Sequence, residues 1–276
     1  MLACRSMGDA ALTVGLDVGA TLCKIAVVGN GLRTEHHTTR DLEWVRRRIE
    51  TLAPQRVAAT GGGAMELGET VAGCRVTHVF EFDAWARGAP VVAHAEGIAL
   101  PEHHLLVSLG TGTSILDVDG PRVSRVGGTA VGGGTALGLA KLLLGVERFD
   151  ELVALAAKGE RRRVDLLVSE VYRGMPAAIA GKLTASHFAK LESTRPEDVA
   201  HALMGLVAET VVLIALGLAR NAGTDDVVYC GTTLAENPPL RAIVEEISTF
   251  FGLRALFLAR GAYCGAVGAA TFAHAG

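Results

Sequence analysis

The sequence predicts an α/β fold built from two similar halves, each with a sheet flanked by helices. The first observation is a strand–turn–strand segment over residues 12–28, whose turn is rich in glycine and small polar residues. The second is a repeat of this arrangement over residues 105–118. The third is a glycine loop at residues 132–134 that leads directly into an apolar helix. The repeated hairpin indicates two half-folds that face each other.

The composition is that of a globular chain with a well-buried core. The 276 residues are 50% hydrophobic and include 34 glycines, which suffices for one large or two small domains. A net charge of −3 and an aromatic content of 5% argue against a nucleic-acid partner. The five cysteines have no C-x-x-C spacing. This pattern favours free thiols in a reducing cytoplasm over disulfides or a zinc site.

No segment is expected to cross a membrane or to direct secretion. The most apolar stretch, residues 206–219, is interrupted by Glu209 and Thr210 and is short for a bilayer. We expect it to be a buried core helix. The N-terminal residues lack the continuous apolar segment of a secretion signal. Either Met1 or Met7 could be the natural start.

The first hairpin turn carries groups suited to a phosphate chain and its metal. Gly19 is expected to adopt a backbone conformation that a side chain would forbid, and to let main-chain N–H groups approach a ligand. The hydroxyl of Thr21 would bind phosphate oxygens, Lys24 would neutralise them, and Asp17 would hold Mg²⁺ or its waters. A plain turn with an exposed Asp and Lys is an open alternative.

The rest of the first half is expected to run from residue 30 to residue 100. A helix over residues 41–52 has a basic outer face at residues 46–48, interpreted as solvated. A strand over residues 56–60 runs into a triple-glycine loop, which needs unusual backbone angles. A strand over residues 76–82 delivers Glu81, and a helix follows over residues 83–95. A polar boundary at residues 101–104 separates this half from residues 101–276.

The second half repeats the phosphate theme and then becomes helical. Its Gly/Thr turn spans residues 110–114, and the glycine loop is expected to offer free amides and a helix dipole to an anion. A second basic run at residues 161–163 is interpreted as solvated. Long helices over residues 196–220, a strand ending at residues 231–233, and a Gly/Ala-rich helix over residues 261–272 complete the chain.

The standard nucleotide motifs are missing from the sequence. It has no G-x-x-x-x-G-K-[ST], and no G-x-G-x-x-G between a first strand and a helix. In both Gly/Thr hairpins the next element is a strand. The phosphate site is therefore expected in a hairpin turn.

Together these segments resemble the superfamily of actin, hexokinase and heat-shock ATPases, and within it the type II pantothenate kinases. The resemblance spans nearly the whole chain. It is carried, in order, by DVGATLCK at 17–24, ATGGGA at 59–64, EFD at 81–83, GTGTS at 110–114, RVGGT at 125–129, GGGT at 132–135, LTAS at 183–186 and GAYCGAVGA at 261–269.

The resemblance implies two ribonuclease-H-like lobes with mixed β-sheets and ATP in the cleft between them. The N-terminal lobe (residues 1–100) would hold the first phosphate hairpin and the catalytic glutamate. The C-terminal lobe (residues 101–276) would hold the second hairpin, the glycine loop and the dimerisation helices. It further implies ATP-dependent phosphorylation of pantothenate, the first step of coenzyme A biosynthesis, by a cytoplasmic homodimer.

The resemblance also assigns roles to residues. Glu81 takes the place of the catalytic base, and Arg125 meets the substrate and the transferring phosphate. Asp17 is the Mg²⁺ anchor, with contact to the metal through water, and the substrate set is Glu81, Ser114 and Arg125. The implied ATP-binding residues are Asp17, Val18, Gly19, Ala20, Thr21, Leu22, Cys23, Lys24, Thr111, Gly133, Gly134, Thr135, Ala136, Leu137, Phe149 and Thr232.

The residues themselves leave alternatives open. Glu81 could be a helix-start acid stabilised by the dipole, but if Phe80 and Phe82 shield it, its pKa should rise. Arg125 could be a surface arginine after a turn. Cys23 could be a reactive thiol or a small turn filler. Adjacent histidines at 36–37 and 103–104 do not converge on one metal from a strand or helix.

Two other functions remain possible from the sequence. One is a sugar or N-acetylhexosamine kinase of the same superfamily, in which an aspartate usually serves as the base; Glu81 favours pantothenate instead. The other is an ATP-driven switch protein, such as an iron–sulfur activase, which would need converging cysteines.

Overall fold

Two α/β units make up the chain, and each is described by itself. The computed structural model describes residues 12–29, 31–39, 41–172 and 183–275. Unit 1 comprises Met1–Ala99 together with Arg260–Gly276, and unit 2 is Leu100–Ala259. The alternative start residues Met1 and Met7 lie outside the described residues.

The elements alternate between strands and helices along much of the chain. The strands are β1 (Thr13–Val18), β2 (Leu22–Gly29), β3 (Gly31–Thr38), β4 (Arg56–Thr60), β5 (Thr70–Val71), β6 (Cys74–His78), β7 (His103–Leu109), β8 (Thr113–Asp119), β9 (Arg122–Thr129), β10 (Leu166–Leu167), β11 (Thr184–Ser186), β12 (Asp226–Cys230) and β13 (Arg254–Phe257). The helices are α1 (Leu42–Leu52), α2 (Glu81–Ala95), α3 (Gly133–Leu144), α4 (Phe149–Ala156), α5 (Val168–Val171), α6 (Pro196–Ala222), α7 (Pro238–Phe250) and α8 (Cys264–Ala275).

The sheet of unit 1 is mixed, with the strand order β3-β2-β1-β4-β6-β5. Its central strand β1 pairs antiparallel with β2 and parallel with β4. We expected β1 to be half-buried, but all its positions are buried. Alternate residues of β1 nevertheless point to opposite faces of the sheet, as predicted. Leu16 packs in one cluster with Val45 and Ile49 of α1, while Gly15 faces α8.

Helix α8 approaches its neighbours at backbone distance. A Cβ built on Gly15 of β1 would lie 1.9 Å from the carbonyl oxygen of Ala266, and one built on Gly88 of α2 would lie 1.8 Å from that of Cys264. Only glycine permits such contacts, so the Gly/Ala composition of α8 belongs to a buried packing surface. The predicted second lobe, residues 101–276, therefore differs from unit 2, because the residues from Arg260 onward pack in unit 1.

Unit 2 is organised around a sheet and one long buried helix. The strand order is β13-β12-β7-β8-β9, with β7 and β8 forming the second hairpin. Within the described residues, α6 is the one helix whose length and apolar composition would allow it to cross a membrane, and 67% of its most apolar window is buried. Leu203, Val207 and Val211 of α6 lie in the core cluster of the unit. The expected core helix is confirmed.

We had expected both basic runs to be solvated, but several of their arginines form hydrogen bonds or ion pairs within the protein. Arg46 donates to the carbonyl oxygen of Glu66 over 2.7 Å, and Arg48 makes two hydrogen bonds to Glu35. In unit 2, Arg161 is buried and pairs with Glu209 of α6 at 2.6 Å. These arginines hold neighbouring segments together, because the guanidinium group can donate to several acceptors at once.

The strand before Glu81 ends earlier than predicted. Strand β6 stops at His78, and Glu81 is the first residue of α2. The predicted helix over residues 83–95 therefore begins two positions sooner. Glu81 is consequently placed at a helix N-terminus and not on a strand.

Replacing Gly88 by Ala is expected to destabilise unit 1 by about 2 kcal/mol or more, because the added methyl forces α8 away from α2. Urea unfolding followed by tryptophan fluorescence measures this, since both tryptophans, Trp44 and Trp85, lie in unit 1. Gly62→Ala is the matched control, because a Cβ there meets nothing within 4 Å. Equal stabilities of the two variants would contradict the packing argument.

Candidate active site

The first hairpin turn connects β1 and β2 through residues 19–21. The Gly19 N–H donates to the carbonyl oxygen of Leu22 over 3.1 Å. Gly19 does not have a positive φ, so the predicted special backbone conformation is wrong. A Cβ there would instead lie 3.2 Å from that oxygen and 3.3 Å from Lys24 Nζ. The glycine therefore leaves room for the lysine ammonium group.

Asp17 is a buried carboxylate, which removes the alternative of an exposed turn acid. It is 4% exposed, and its Oδ2 accepts a hydrogen bond from Lys24 Nζ at 3.2 Å. Burial raises the pKa of Asp17, while the positive charge of Lys24 and its hydrogen bond act in the opposite direction. Burial is the larger effect, so the pKa of Asp17 lies above its ordinary value.

Glu81 lies close enough to this pair to sense its charges. Burial raises the pKa of Glu81, the charge of Asp17 raises it further, and the charge of Lys24 opposes both. A helix N-terminus would lower the pKa of an acid, so burial outweighs the dipole here. The predicted direction is confirmed, although Phe80 is 65% exposed and lies edge-on to Phe82.

Two neighbours of this cluster were missed by the sequence reasoning. A Cβ built on Gly265 of α8 would lie 2.9 Å from Asp17 Oδ2 and 2.8 Å from Trp85 Nε1. Trp85 follows Glu81 by four residues on α2, which places both on one helix face. That spacing was the available signal for Trp85.

The other oxygen of Asp17 is directed toward the end of β4. A Cβ on Gly61 would lie 2.8 Å from Asp17 Oδ1, and Gly61 has a φ of +91°, which confirms the unusual backbone angle expected in that loop. Mg²⁺ in nucleotide sites is commonly held by one or two carboxylates, waters and phosphates. No group of three or more His, Cys, Asp or Glu suited to a metal occurs among the described residues. Asp17 therefore fits Mg²⁺ only as a single carboxylate, with waters and phosphates as the other ligands.

A cleft of about 360 Å³ opens beside the first turn. Its lining includes Val18, Gly19 and Ala20 from the turn, and Gly62 and Gly63 from the loop after β4. The N–H of Gly19 is already bonded to Leu22, and the N–H of Gly63 donates to the carbonyl oxygen of Val18 over 3.0 Å. The glycines therefore leave space at the cleft, while these two amides serve the local fold.

Cys23 is a small buried filler of the hairpin. It has no exposed surface, and burial raises the pKa of its thiol to about 12. A thiol with so high a pKa is not a nucleophile at neutral pH. No disulfide joins the described cysteines, Cys23, Cys74, Cys230 and Cys264.

In unit 2, the second hairpin turn is fastened to the glycine loop. The N–H of Gly133 donates to the carbonyl oxygen of Gly110, and that of Gly134 to the carbonyl oxygen of Thr111, both over 2.9 Å. The expectation of free amides at this helix start is therefore wrong for these two. The glycine loop docks α3 onto the turn, leaving Thr111 exposed beside it.

Thr233 joins the same assembly and was not selected from the sequence. Its hydroxyl donates to the carbonyl oxygen of Gly110 over 2.7 Å, and a Cβ on Gly133 would lie only 2.3 Å from that hydroxyl. Its neighbour Thr232, the predicted nucleotide contact, is half-buried at the end of β12. The Gly-Thr-Thr sequence was a visible signal, but it could not distinguish the two threonines.

Ser114 and Arg125 come together around Gly128. A Cβ on Gly128 would lie 3.3 Å from Ser114 Cα and 2.8 Å from Arg125 Nη2. The pairing of β8 with β9 shifts register between Ile115 and Leu116, and such an irregularity can redirect a side chain. Arg125 is exposed, as a surface arginine would be.

The remaining predicted residues line α3 and the start of α4. Thr135 donates its hydroxyl to the carbonyl oxygen of Ala130 over 3.0 Å, and Ala136 is buried in the core. Leu137 is half-buried, and Phe149 packs against the core as the first residue of α4. Unit 1 thus assembles Asp17, Lys24 and Glu81, while unit 2 assembles two separate groups around Gly110 and Gly128.

The adjacent histidines contact different partners. His103 Nε2 lies 2.9 Å from Asp117 Oδ1, whereas His104 Nδ1 lies 2.8 Å from the carbonyl oxygen of Pro101. His36 Nδ1 lies 3.0 Å from the Tyr263 hydroxyl, and His37 stacks on Trp44. Each ring has a local structural role.

Solved structures with the same architecture define the class of the fold. Component A of the (R)-2-hydroxyglutaryl-CoA dehydratase from Acidaminococcus fermentans aligns with a TM-score of 0.63 at 20% identity, covering 96% of this chain and 98% of that one. A ROK family glucokinase from Streptomyces griseus, in complex with glucose and AMPPNP, aligns with a TM-score of 0.57 at 16% identity, covering 96% and 100%. The fold is that of the actin-like ATPases.

Sequence comparison resolves the family within this class. The Fumble family model matches residues 78–272. The type II pantothenate kinase of Bacillus anthracis is 30% identical over 272 residues, covering 95% of this chain and 97% of the relative. That of Oceanobacillus iheyensis is 33% identical over 261 residues, covering 93% and 97%. The chain belongs to the type II pantothenate kinase family.

Replacing Glu81 by Gln is expected to stabilise unit 1 near pH 8, with the gain shrinking as the pH falls toward 4.5. The raised pKa means that ionised Glu81 opposes folding, while the protonated acid does not. Urea unfolding of both proteins across this range, followed by tryptophan fluorescence, measures the effect. Asp83→Asn, an exposed change on the same helix, is the control. A Glu81→Gln gain that is independent of pH would refute the assignment.

Proposed function

We propose that this protein transfers the γ-phosphoryl group of ATP to the primary hydroxyl of pantothenate, giving 4′-phosphopantothenate, the first step of coenzyme A biosynthesis. The observation that carries the proposal is the match to curated type II pantothenate kinases over 95% of the chain. Glu81 lies within the segment that the Fumble family model matches, and its pKa is raised by burial and by the charge of Asp17. This combination suits proton removal from an alcohol.

The proposed chemistry of unit 1 is proton transfer and charge neutralisation. Glu81 accepts the proton of the substrate hydroxyl, and its raised pKa increases its affinity for that proton. Lys24, now paired with Asp17, offers its positive charge to the phosphates. Because the base must be ionised to act, kcat/KM should fall as the pH drops through the pKa of Glu81.

Mg²⁺ is the cofactor that we propose alongside ATP. Asp17 would hold it through one carboxylate and intervening waters, in agreement with the sparse set of acidic side chains described above. The ion would neutralise charge on the phosphate oxygens. The cleft beside Gly19 and Gly62 would take the phosphates.

In unit 2 we propose that Arg125 and Ser114 bind the substrate and the transferring group. Arg125 presents a permanently charged, planar set of donors that matches phosphoryl oxygens. Ser114 adds a hydroxyl next to the same glycine. The turn at Thr111 and the start of α3, together with Leu137, Phe149 and Thr232, would contact the nucleotide.

A coupled ADP-release assay tests the proposed reaction. We expect ADP release with pantothenate, and none with glucose, N-acetylglucosamine or no substrate. Glu81→Gln should abolish turnover while retaining ATP binding, because only the proton acceptor is lost. Release with a sugar would indicate a sugar kinase, and release without any substrate would indicate an ATP-driven switch. A Glu81→Gln enzyme with a near-normal rate would refute the base assignment.

Replacing Arg125 by Lys is expected to lower kcat by about tenfold or more, because a single ammonium group cannot donate two parallel hydrogen bonds to the transferring group. Steady-state kinetics with varied pantothenate measures kcat and KM separately. An exposed arginine on the same strand, Arg122→Lys, is the matched control. An unchanged kcat with a raised KM would assign Arg125 to substrate binding alone.

We further propose a cytoplasmic homodimer with no membrane or nucleic-acid partner. Helix α6 leaves one face uncovered within unit 2: Leu213 is 45% exposed and Gly217 is exposed, while Leu206 and Thr210 are half-buried. These residues recur at helical spacing and form an apolar stripe, the α6 face. Helix α8, the other surface considered, is buried inside unit 1 and is a poor candidate.

Replacing Leu213 by Glu is expected to convert the dimer to a monomer, since a charge in an apolar interface is left without a partner. Light scattering coupled to size exclusion measures the mass. Leu142→Glu is the control, because Leu142 is 81% exposed and belongs to a different helix, α3. A monomeric wild-type protein would reject the homodimer, and a dimeric Leu213→Glu variant would reject this face.

A further inference from the structure

Thr60 carries a buried hydroxyl without a hydrogen-bond partner in the described part of the chain. The residue is 1% exposed at the end of β4, and within the described structure its Oγ1 has no hydrogen-bond partner. Leaving a buried hydroxyl unpaired opposes folding, and nearly all such groups in proteins are paired. We therefore expect the Thr60 hydroxyl to form a hydrogen bond in another state of the site.

Thr60 is the strand neighbour of Asp17 on the same face of the sheet. The parallel register of β1 and β4 places Asp17 opposite Thr60. Ala58, two residues before Thr60, packs against α8, and so does Gly15, two residues before Asp17. Strands in a sheet lie about 4.8 Å apart, so the two side chains are within reach of each other.

The carboxylate of Asp17 already leans toward this strand. Its Oδ1 is the atom that a Cβ on Gly61, the residue after Thr60, would approach to 2.8 Å. Its Oδ2 is held by Lys24 on the opposite side. The oxygen directed toward Gly61, Oδ1, is therefore not the one paired with lysine.

The proposed function creates a need for a second donor to Asp17. If Lys24 turns to the phosphates of ATP, the buried Asp17 charge loses its ion-pair partner. A buried carboxylate without a hydrogen-bond partner is strongly disfavoured.

We propose that, when Lys24 moves away from Asp17, the Thr60 hydroxyl donates a hydrogen bond to Asp17 Oδ1 and replaces the lysine as its partner. Thr60 is then a positioning residue that acts through Asp17 and keeps the carboxylate oriented. This inference rests on the proposed function for the departure of Lys24. In the state that the structure shows, Lys24 is the partner of Asp17 and the Thr60 hydroxyl is unpaired; in the second state the two exchange roles.

A double-mutant cycle without any ligand tests the exchange. In the wild-type background, Thr60→Val should leave unfolding unchanged or stabilise the protein, since it removes an unpaired hydroxyl. In the Lys24→Met background, the same change should destabilise, shifting the unfolding equilibrium constant by about fivefold or more near pH 8. Thr60→Ser should show no such coupling, because it keeps the hydroxyl. Thr39→Val, which removes another unpaired hydroxyl, is the matched control.

A second measurement covers the case in which Lys24→Met does not fold. Calorimetry should show that Thr60→Val weakens binding of Mg²⁺·AMPPNP by about tenfold, while Thr60→Ser binds as the wild type does. AMPPNP with EDTA and Mg²⁺ alone separate the metal contribution from that of the nucleotide. Equal effects of Thr60→Val in both backgrounds, or unchanged nucleotide affinity, would overturn the inference. A wild-type protein that binds no nucleotide would reject the proposed function instead, and the ligand-free cycle would still decide the exchange.

Discussion

The backbone-to-backbone approach of α8 to β1 and α2 is the constraint on which the first-unit site depends. Glycines at 15, 88 and 268 allow helix and strand to meet with no side chain between them. This contact covers the face of β1 that carries Asp17, which explains why the carboxylate is 4% exposed and why its pKa is raised. It also places Gly265 against Asp17 and Trp85. The electrostatics of Glu81 follow, because burial and the charge of Asp17 are the causes of its raised pKa.

In unit 2, hydrogen bonds to a hairpin turn hold the start of helix α3 in place. There the carbonyl groups of a hairpin turn accept the first N–H groups of α3, and the Thr233 hydroxyl closes the junction. The glycine loop serves to bring a helix against a turn, so its small residues are needed for packing before any ligand is considered. The two hairpins share a sequence pattern, yet one places charged side chains and the other fixes a helix start.

The sequence predicted the two hairpins, strands β4, β6 and β12 and the core helix α6, because each has a local signature of alternation, turn residues or apolar length. It did not predict β3 or β9, which pair with β2 and β8 of the hairpins. The roles assigned to Asp17, Lys24 and Glu81 rest on motifs and stay predictions, whereas the raised pKa of Glu81 agrees in direction with the expectation from its apolar neighbours. What the sequence could not supply were contacts between distant segments. The packing of α8 in unit 1, the pairing of Arg161 with Glu209, and the contacts of Gly265 and Thr233 depend on tertiary approach. Local pattern carries no information on which segments meet.

The return of α8 to unit 1 has a consequence for the order in which the protein forms. Domains emerge from the ribosome and fold in sequence as they are synthesised. Unit 2 is contiguous, Leu100–Ala259, and can close on itself as soon as it has been made, whereas unit 1 lacks a cover for one face of β1 until the residues from Arg260 onward appear. A chain interrupted before that point would carry every predicted catalytic residue and still leave Asp17 open to water. Asp17 can therefore become buried only after the C-terminal residues that form α8 have been synthesised.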